Sequence, residues 1–320
     1  WHILGDSGAG HVSGLRPAWP AKEPGVRRRP ALNSSSAPGS LPSGAGRSPP
    51  MNVLQVTIRD LVGQRFNGYR LHQSMRLRGL ESHMLVVEKR SDDPHVHSFS
   101  RAGELIERGL YACERVTSLQ GLLSPFPWSF PLRRCFRDAQ VMHWHWVYPH
   151  YVSLPSMPWL TRSRPTVWTL HDPWALTGHC VHPLECERWR TGCGRCPDLS
   201  RSFPVWFDTT ALVWRAKQRF YRRSPATLVV GSRWMKERVE SSPLLRSWPC
   251  HVIPFGLEID RWRLLDRAAC RSRLGIPPGA KALAFRMPQG HRQHRTKGIP
   301  WLREALQRMT LRQPTHLIVF

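Results

Sequence analysis

A histidine and an aspartate, His171 and Asp172, follow directly on an apolar run in V-W-T-L-H-D. Pro165 to Leu170 reads as a short strand, so both residues stand at its carboxyl end. In open α/β sheets, ligands sit outside the carboxyl ends of the strands, so a histidine delivered there is placed for chemistry. Asp172 beside it reads as an orienting or capping carboxylate rather than a base. The next loop holds four cysteines spaced Cys180-x5-Cys186-x6-Cys193-x2-Cys196. Cys-x2-Cys is one half of a closed tetrahedral thiolate site of the kind that holds structural Zn2+. The other half is looser, so reduced thiols and disulfides stay open beside zinc. Whichever holds, these cysteines serve the loop and not catalysis.

The chain has 320 residues, enough for two domains with real cores. Lys and Arg number 47 against 22 Asp and Glu, a formal charge of +25. That balance favours anionic partners such as nucleotide diphosphates, lipid phosphates, an anionic membrane surface or nucleic acid. Eight cysteines in a chain this long do not make a secreted disulfide scaffold. Cys113, Cys135, Cys250 and Cys270 lie outside the loop and read as free, mostly buried thiols of a reducing compartment. No apolar run reaches the roughly 18 residues of a spanning helix. The opening shows no charged-then-apolar leader. The expected location is cytoplasmic, with at most a peripheral hold on the inner membrane face.

Residues 1–50 are rich in Pro, Gly, Ser and Arg and lack hydrophobic periodicity, so they are predicted to be a disordered extension. Met51, followed at once by N-V-L-Q-V-T-I, reads as the natural start of the folded chain. A strand over Val53–Ile58, a loop with Gly63 and Gly68, a helix over Tyr69–Arg78 stopped by Gly79, and a strand over His83–Val87 make a βαβ unit. Ala102–Leu122 is predicted helical and Pro125–Pro131 a loop. Ala139–Val147 is predicted as a strand with His143 and His145 on one face, which read as core or cleft-lining histidines. A helix over Asp208–Arg222 anchored by Trp214 and Phe220, a strand over Ala226–Val230, a helix capped by Ser232 and a strand over His251–Pro254 follow. Lys281–Phe285, Ile299–Met309 and His316–Phe320 read as strand, helix and strand of a second sheet.

T-L-H-D-P-W-A-L-T-G-H-C, with C-E-R-W-R-T-G-C-G-R-C-P after it, resembles the bacterial family 4 glycosyltransferases that build colanic acid and other capsular polysaccharides. The likeness runs from about Met51 to the end. F-N-G-Y-R-L-H-Q-S-M-R-L-R-G-L also matches the family's opening, although Arg65, Phe66 and Asn67 stand where small residues are usual. The resemblance implies an α/β fold of GT-B architecture, two Rossmann-like domains facing across a cleft. Residues 51–260 would form a complete acceptor-side domain carrying the Cys-rich loop 180–196. Residues 261–320 would begin an incomplete nucleotide-sugar-binding domain. The implied reaction moves a sugar from a nucleotide-diphosphate sugar to a glycan or undecaprenyl-diphosphate-linked acceptor, with retention and no required metal.

Lys297 and Gly298 match the family's K-G, whose lysine contacts donor phosphates. Arg286 stands near a second cation position, and His171 would hydrogen-bond the donor sugar. The glycines of the first loop, Gly63 and Gly68, would let backbone approach a ligand. Asp138 before His-x-His also fits the family. Phe255 replaces its usual Asn. On this reading the 320-residue chain, lacking the family's acidic donor-binding motif, is an inactive fragment. The rival class is a zinc-containing basic nucleic-acid-binding protein. Against it, the basic residues are spread along the chain and no nucleic-acid-reading motif occurs.

Overall fold

A computed structural model of the protein describes residues 51–63, 68–148, 151–200, 203–257, 263–285, 297–311 and 313–319. The extension 1–50, the loop residues Arg65, Phe66 and Asn67, and Arg286 lie outside the described residues.

The chain opens with β1 (Asn52–Arg59), α1 (Tyr69–Leu77), β2 (Glu81–Glu88), β3 (Val96–Ser98) and α2 (Arg101–Thr117). Then come α3 (Arg134–Arg137), β4 (Val141–Trp144), α4 (Met157–Ser163) and β5 (Thr166–Leu170). Past the cysteine loop lie α5 (Thr210–Tyr221), β6 (Thr227–Val230), α6 (Arg233–Ser241) and β7 (Cys250–Val252). These seven strands form one sheet in the order β3-β2-β1-β4-β5-β6-β7, parallel throughout. Strands of parallel sheets are covered on both faces and read as continuous apolar runs. In β1 even Gln55 and Thr57 are buried along with Val53, Leu54 and Val56. The fold is α/β and Rossmann-like. The strand order reverses between β1 and β4, the place where such sheets open a ligand crevice.

Large aromatics fill the centre. Trp144 on β4 and Trp168 on β5 are fully buried and meet edge to face at 6.0 Å. Tyr221, at the end of α5, packs on Trp168 at 6.0 Å. Such residues bury roughly 150–250 Å² each and dominate core energetics. Trp214 on α5 is buried as expected, and Phe220 is packed only partly.

A second, two-stranded sheet pairs β8 (Lys281–Phe285) with β9 (Thr315–Val319) in parallel, Lys281 opposite Thr315. α7 (Arg267–Arg273) precedes it and α8 (Ile299–Arg308) connects its strands. Neither helix contributes a buried side chain among the described residues.

Several elements differ from the sequence expectation. The helix expected over Ala102–Leu122 stops at Thr117, because Ser118 turns left-handed at φ 59°. Its hydroxyl takes the N–H groups of Trp206 and Phe207, and the Glu114 carboxylate takes those of Gly121, Leu122 and Leu123. The Pro125–Pro131 loop is instead a 3-10 helix over Phe126–Leu132, anchored by buried Phe126 and Phe130. The strand expected over Ala139–Val147 is only β4, so His145 lies just past its end. Of the four scattered cysteines only Cys135 is buried; Cys113 is exposed and Cys250 and Cys270 are half-buried. Surface helices and a three-residue edge strand leave them partly open.

Candidate functional site

Three histidines stack at the carboxyl ends of β4 and β5, beside the reversal of strand order. His143 and His145 lie 4.2 Å apart, ring centre to ring centre, and His145 and His171 lie 5.8 Å apart and nearly parallel. Phe255 continues the stack, 5.3 Å beyond His171, and Trp146 meets His171 edge-on at 5.5 Å. Core contacts hold the row in place. His143 Nε2 lies 2.7 Å from the Thr169 hydroxyl, and His145 Nε2 lies 2.8 Å from the Gln55 side-chain oxygen on β1. The loop after β1 closes against them. A β-carbon at Gly68 would lie 2.3 Å from His145 Nε2, and one at Gly63 would lie 2.9 Å from the Trp146 ring. Both glycines have positive φ, +90° and +67°. The space a side chain would take there is filled by the ring stack.

Burial keeps this row uncharged. Desolvation pulls His143 down to about 4, and desolvation together with His143 pulls His171 down to about 3. His145 is held well below the ordinary imidazole value, first by burial, then by His143 and His171. An imidazole so hard to protonate binds hydroxyls but moves protons poorly near neutrality, since efficient acid–base groups titrate near the working pH.

Asp172 turns away from this row. It caps the 3-10 turn at Pro173–Leu176, accepting the Trp174 N–H at 2.9 Å, and it accepts the Tyr148 hydroxyl at 2.6 Å. Desolvation raises it to about 6. Tyr148 lies flat on Trp174, centroids 4.3 Å apart and planes within 3°. Lys217 from α5 is fully buried over the Trp174 ring, its ammonium 3.3 Å from the centroid. It donates to the carbonyls of Trp174 and Thr177 at 2.5 and 2.8 Å. Burial pulls its pKa down to about 7, while Cys193, Cys180 and Asp172 pull it up. The cysteine loop is thereby tied to α5.

Cys180, Cys186, Cys193 and Cys196 line one small cavity of about 20 Å³ with His179. One water-sized body needs about 10–15 Å³, so the cavity suits a single ion or water. Cys193 receives the Gly178 N–H at 3.1 Å, yet burial first, with Cys180 and Cys186 adding, pushes its thiol up to about 11. Cys196 Sγ lies 4.0 Å from His179 Nε2. Among the described residues no three His, Cys, Asp or Glu side chains stand ready-made around one metal position. Gly178 must be glycine, because a β-carbon there would strike the Thr210 carbonyl at 2.5 Å.

The family model described as Glycosyltransferase Family 4 matches residues 69–261, which span α1 to the end of the seven-stranded sheet. The chain belongs to glycosyltransferase family 4. The colanic acid biosynthesis assignment WcaC, a glycosyl transferase of Escherichia coli (strain K12), is 34% identical over 149 residues. The aligned part covers 43% of this chain and 36% of that relative, so the chain spans about a third of its length.

In this family 4 chain two of the expected donor-phosphate residues, Lys297 and Gly298, lie just before α8, which connects β8 to β9. Lys297 is exposed and Gly298, at φ 74°, opens α8 with Pro300 in its first turn. Arg286 lies outside the described residues. The structure thus gathers His171 with Gly63 and Gly68, and the four cysteines with one another. His143 and His145 were legible from their i, i+2 spacing on an apolar run. Lys217 was not, since a lysine on an amphipathic helix reads as solvated. No helix among the described residues is long and apolar enough to cross a membrane.

Proposed function

We infer that the protein moves a sugar from a nucleotide-diphosphate sugar to a hydroxyl of a glycan or lipid-linked glycan, with retention, in envelope polysaccharide synthesis. The observation that carries this reading is the neutral His171, delivered at a strand's carboxyl end beside the switch in strand order in a family 4 chain. A retaining transfer passes through a sugar cation with a departing diphosphate, and fixed dipoles and cations aimed at that charge supply most of the rate. An uncharged imidazole suits the sugar hydroxyl, because it adds no positive charge beside the forming cation. Lys297, at the start of α8, suits the leaving diphosphate, with the helix N–H groups behind it. Asp172 serves as the carboxylate that fixes the turn after His171.

Neither group needs a metal for this chemistry. The cysteine loop takes a structural Zn2+ on our reading, supported by the shared cavity and by the Gly178 N–H on Cys193. An undecaprenyl-diphosphate-linked acceptor and a peripheral hold on an anionic membrane fit the +25 charge. The comparisons favour this reading over a zinc-containing nucleic-acid binder.

The test is sugar transfer from a panel of nucleotide sugars to lipid-linked acceptors by protein carrying a full second Rossmann-like domain, unmodified against His171→Ala. Turnover is expected to fall on the order of 10²-fold, the effect of removing one aimed hydrogen-bonding group. Wild-type rates in a folded His171→Ala protein would remove the histidine from the site.

A further inference from the structure

A second set of histidines gathers at the opposite, amino end of the sheet, where β2 and β3 begin. The register sets Met84 opposite Val96 and Leu85 opposite His97, so His83, His95 and His97 share one face. His83 Nδ1 and His97 Nε2 share a hydrogen bond of 3.1 Å, so one of the two carries an N–H, and a tautomer shift of that ring moves the proton to its other nitrogen and frees both for a metal ion. Their rings lie 5.3 Å apart at 29°, and His95 lies 5.5 Å from His83. Two imidazoles on one tetrahedral metal, with bonds of about 2.0–2.1 Å, place their nitrogens roughly 3.3 Å and their ring centres roughly 5 Å apart. The pair already has that spacing.

Asp93 completes the resemblance to a metal site. Its Oδ1 lies 3.4 Å from His95 Nδ1 and also accepts the His95 backbone N–H at 2.9 Å. That leaves Nε2 as the free donor of His95. Metal-bound histidines characteristically give their other ring N–H to a carboxylate, which fixes the tautomer. The second Asp93 oxygen faces His72 Nε2 at 3.5 Å. Burial first, then neighbouring charges, holds His83 and His97 below the ordinary imidazole value, so neither ring is held as a doubly protonated cation. His83 faces His95 and Arg76 together with Glu81 and Asp138, His97 faces His83, Lys89, His95 and Arg133, and Asp93 lies against His72 and His95.

We propose that His83 and His97 chelate a borderline divalent transition-metal ion, with His95 joining as third ligand by a side-chain rotation. Imidazole donors select Zn2+, Ni2+ or Cu2+ over Mg2+ or Ca2+. The bound ion clamps the edge strand β3 to β2, far from the sugar chemistry and independent of it.

Metal-stripped protein is titrated calorimetrically with Ni2+, and in parallel with Co2+ under absorbance. One imidazole site is expected to weaken at least tenfold in His83→Gln and in His97→Gln. His95→Gln, at a partly exposed side chain, weakens it as well and guards against a folding artefact. Cys193→Ser leaves it unchanged. In unmodified protein, bound Co2+ broadens the backbone resonances of β2 and β3 before others. Equal Ni2+ affinity in all three glutamine variants overturns the proposal. So does a Co2+ titration in which all of the bound metal shows the intense thiolate-to-cobalt band and none binds beyond it, which confines the ion to the cysteine loop. Broadening centred elsewhere does the same if a variant fails to fold.

Discussion

At Gly68 the backbone comes so close to His145 that no side chain fits between them, and φ +90° would strain any L-residue besides. Gly68→Ala must move either the loop or the ring. The cost is expected at about 2–4 kcal/mol, from left-handed strain plus displacement of a packed side chain. Urea unfolding reads it directly, and an unchanged midpoint would mean that the loop yields freely. His171→Ala is the complementary case, because its loss is expected in turnover more than in stability. The histidine itself could be read from the sequence, since an apolar run followed by His-Asp is a local pattern. The stack it belongs to could not, because Phe255 lies 84 positions further along the chain and only the strand order brings it near.

Among the elements, the cysteine loop shows the most economical use of one helix. α5 sends Lys217 inward to two loop carbonyls and an indole face, so the loop's path after β5 is set before any metal binds. If the loop holds zinc, purified protein carries about one zinc from this site, and the Cys193→Ser/Cys196→Ser pair loses it. Elemental analysis of freshly reduced protein with no zinc would reject that reading. The strands of the large sheet were legible because parallel pairing between two covered faces favours apolar and β-branched runs, and Val53–Ile58 and Thr227–Val230 supply them. β3 escaped notice because three residues leave no period to read. The end of α2 escaped because its terminator is a serine in a left-handed turn. Its partners, Trp206 and Phe207, come from nearly 90 residues away.

For the whole molecule, buried histidines set the acid side of the stability profile. His72 and His143 are held at about 4 and His171 at about 3, against 6.5 when unfolded. Below pH 6.5 the unfolded chain takes up protons that the folded chain refuses until about pH 3–4, so stability falls as pH falls across that window. Asp172 acts in reverse: raised from 3.8 to about 6, it stabilises the fold at low pH and loses that contribution as pH rises through 6. His145, His83 and His97 are lowered as well, so the histidines outweigh Asp172 and the urea midpoint is expected to drop between pH 6.5 and 4; a midpoint that rises on acidification would mean that the histidines are solvated.

The two sheets also differ in how their borders meet other chains. β3 and β7, which flank the large sheet, are three residues long each. So short a border offers little length for a neighbouring molecule to add a strand, a common guard against aggregation. β8 and β9 are five residues each, K-A-L-A-F and T-H-L-I-V, and Leu317 and Val319 are exposed. Among the described residues β8 and β9 pair only with each other, so apolar side chains and unpaired strand borders coincide there, and the small sheet is where a neighbouring strand would find most to add to.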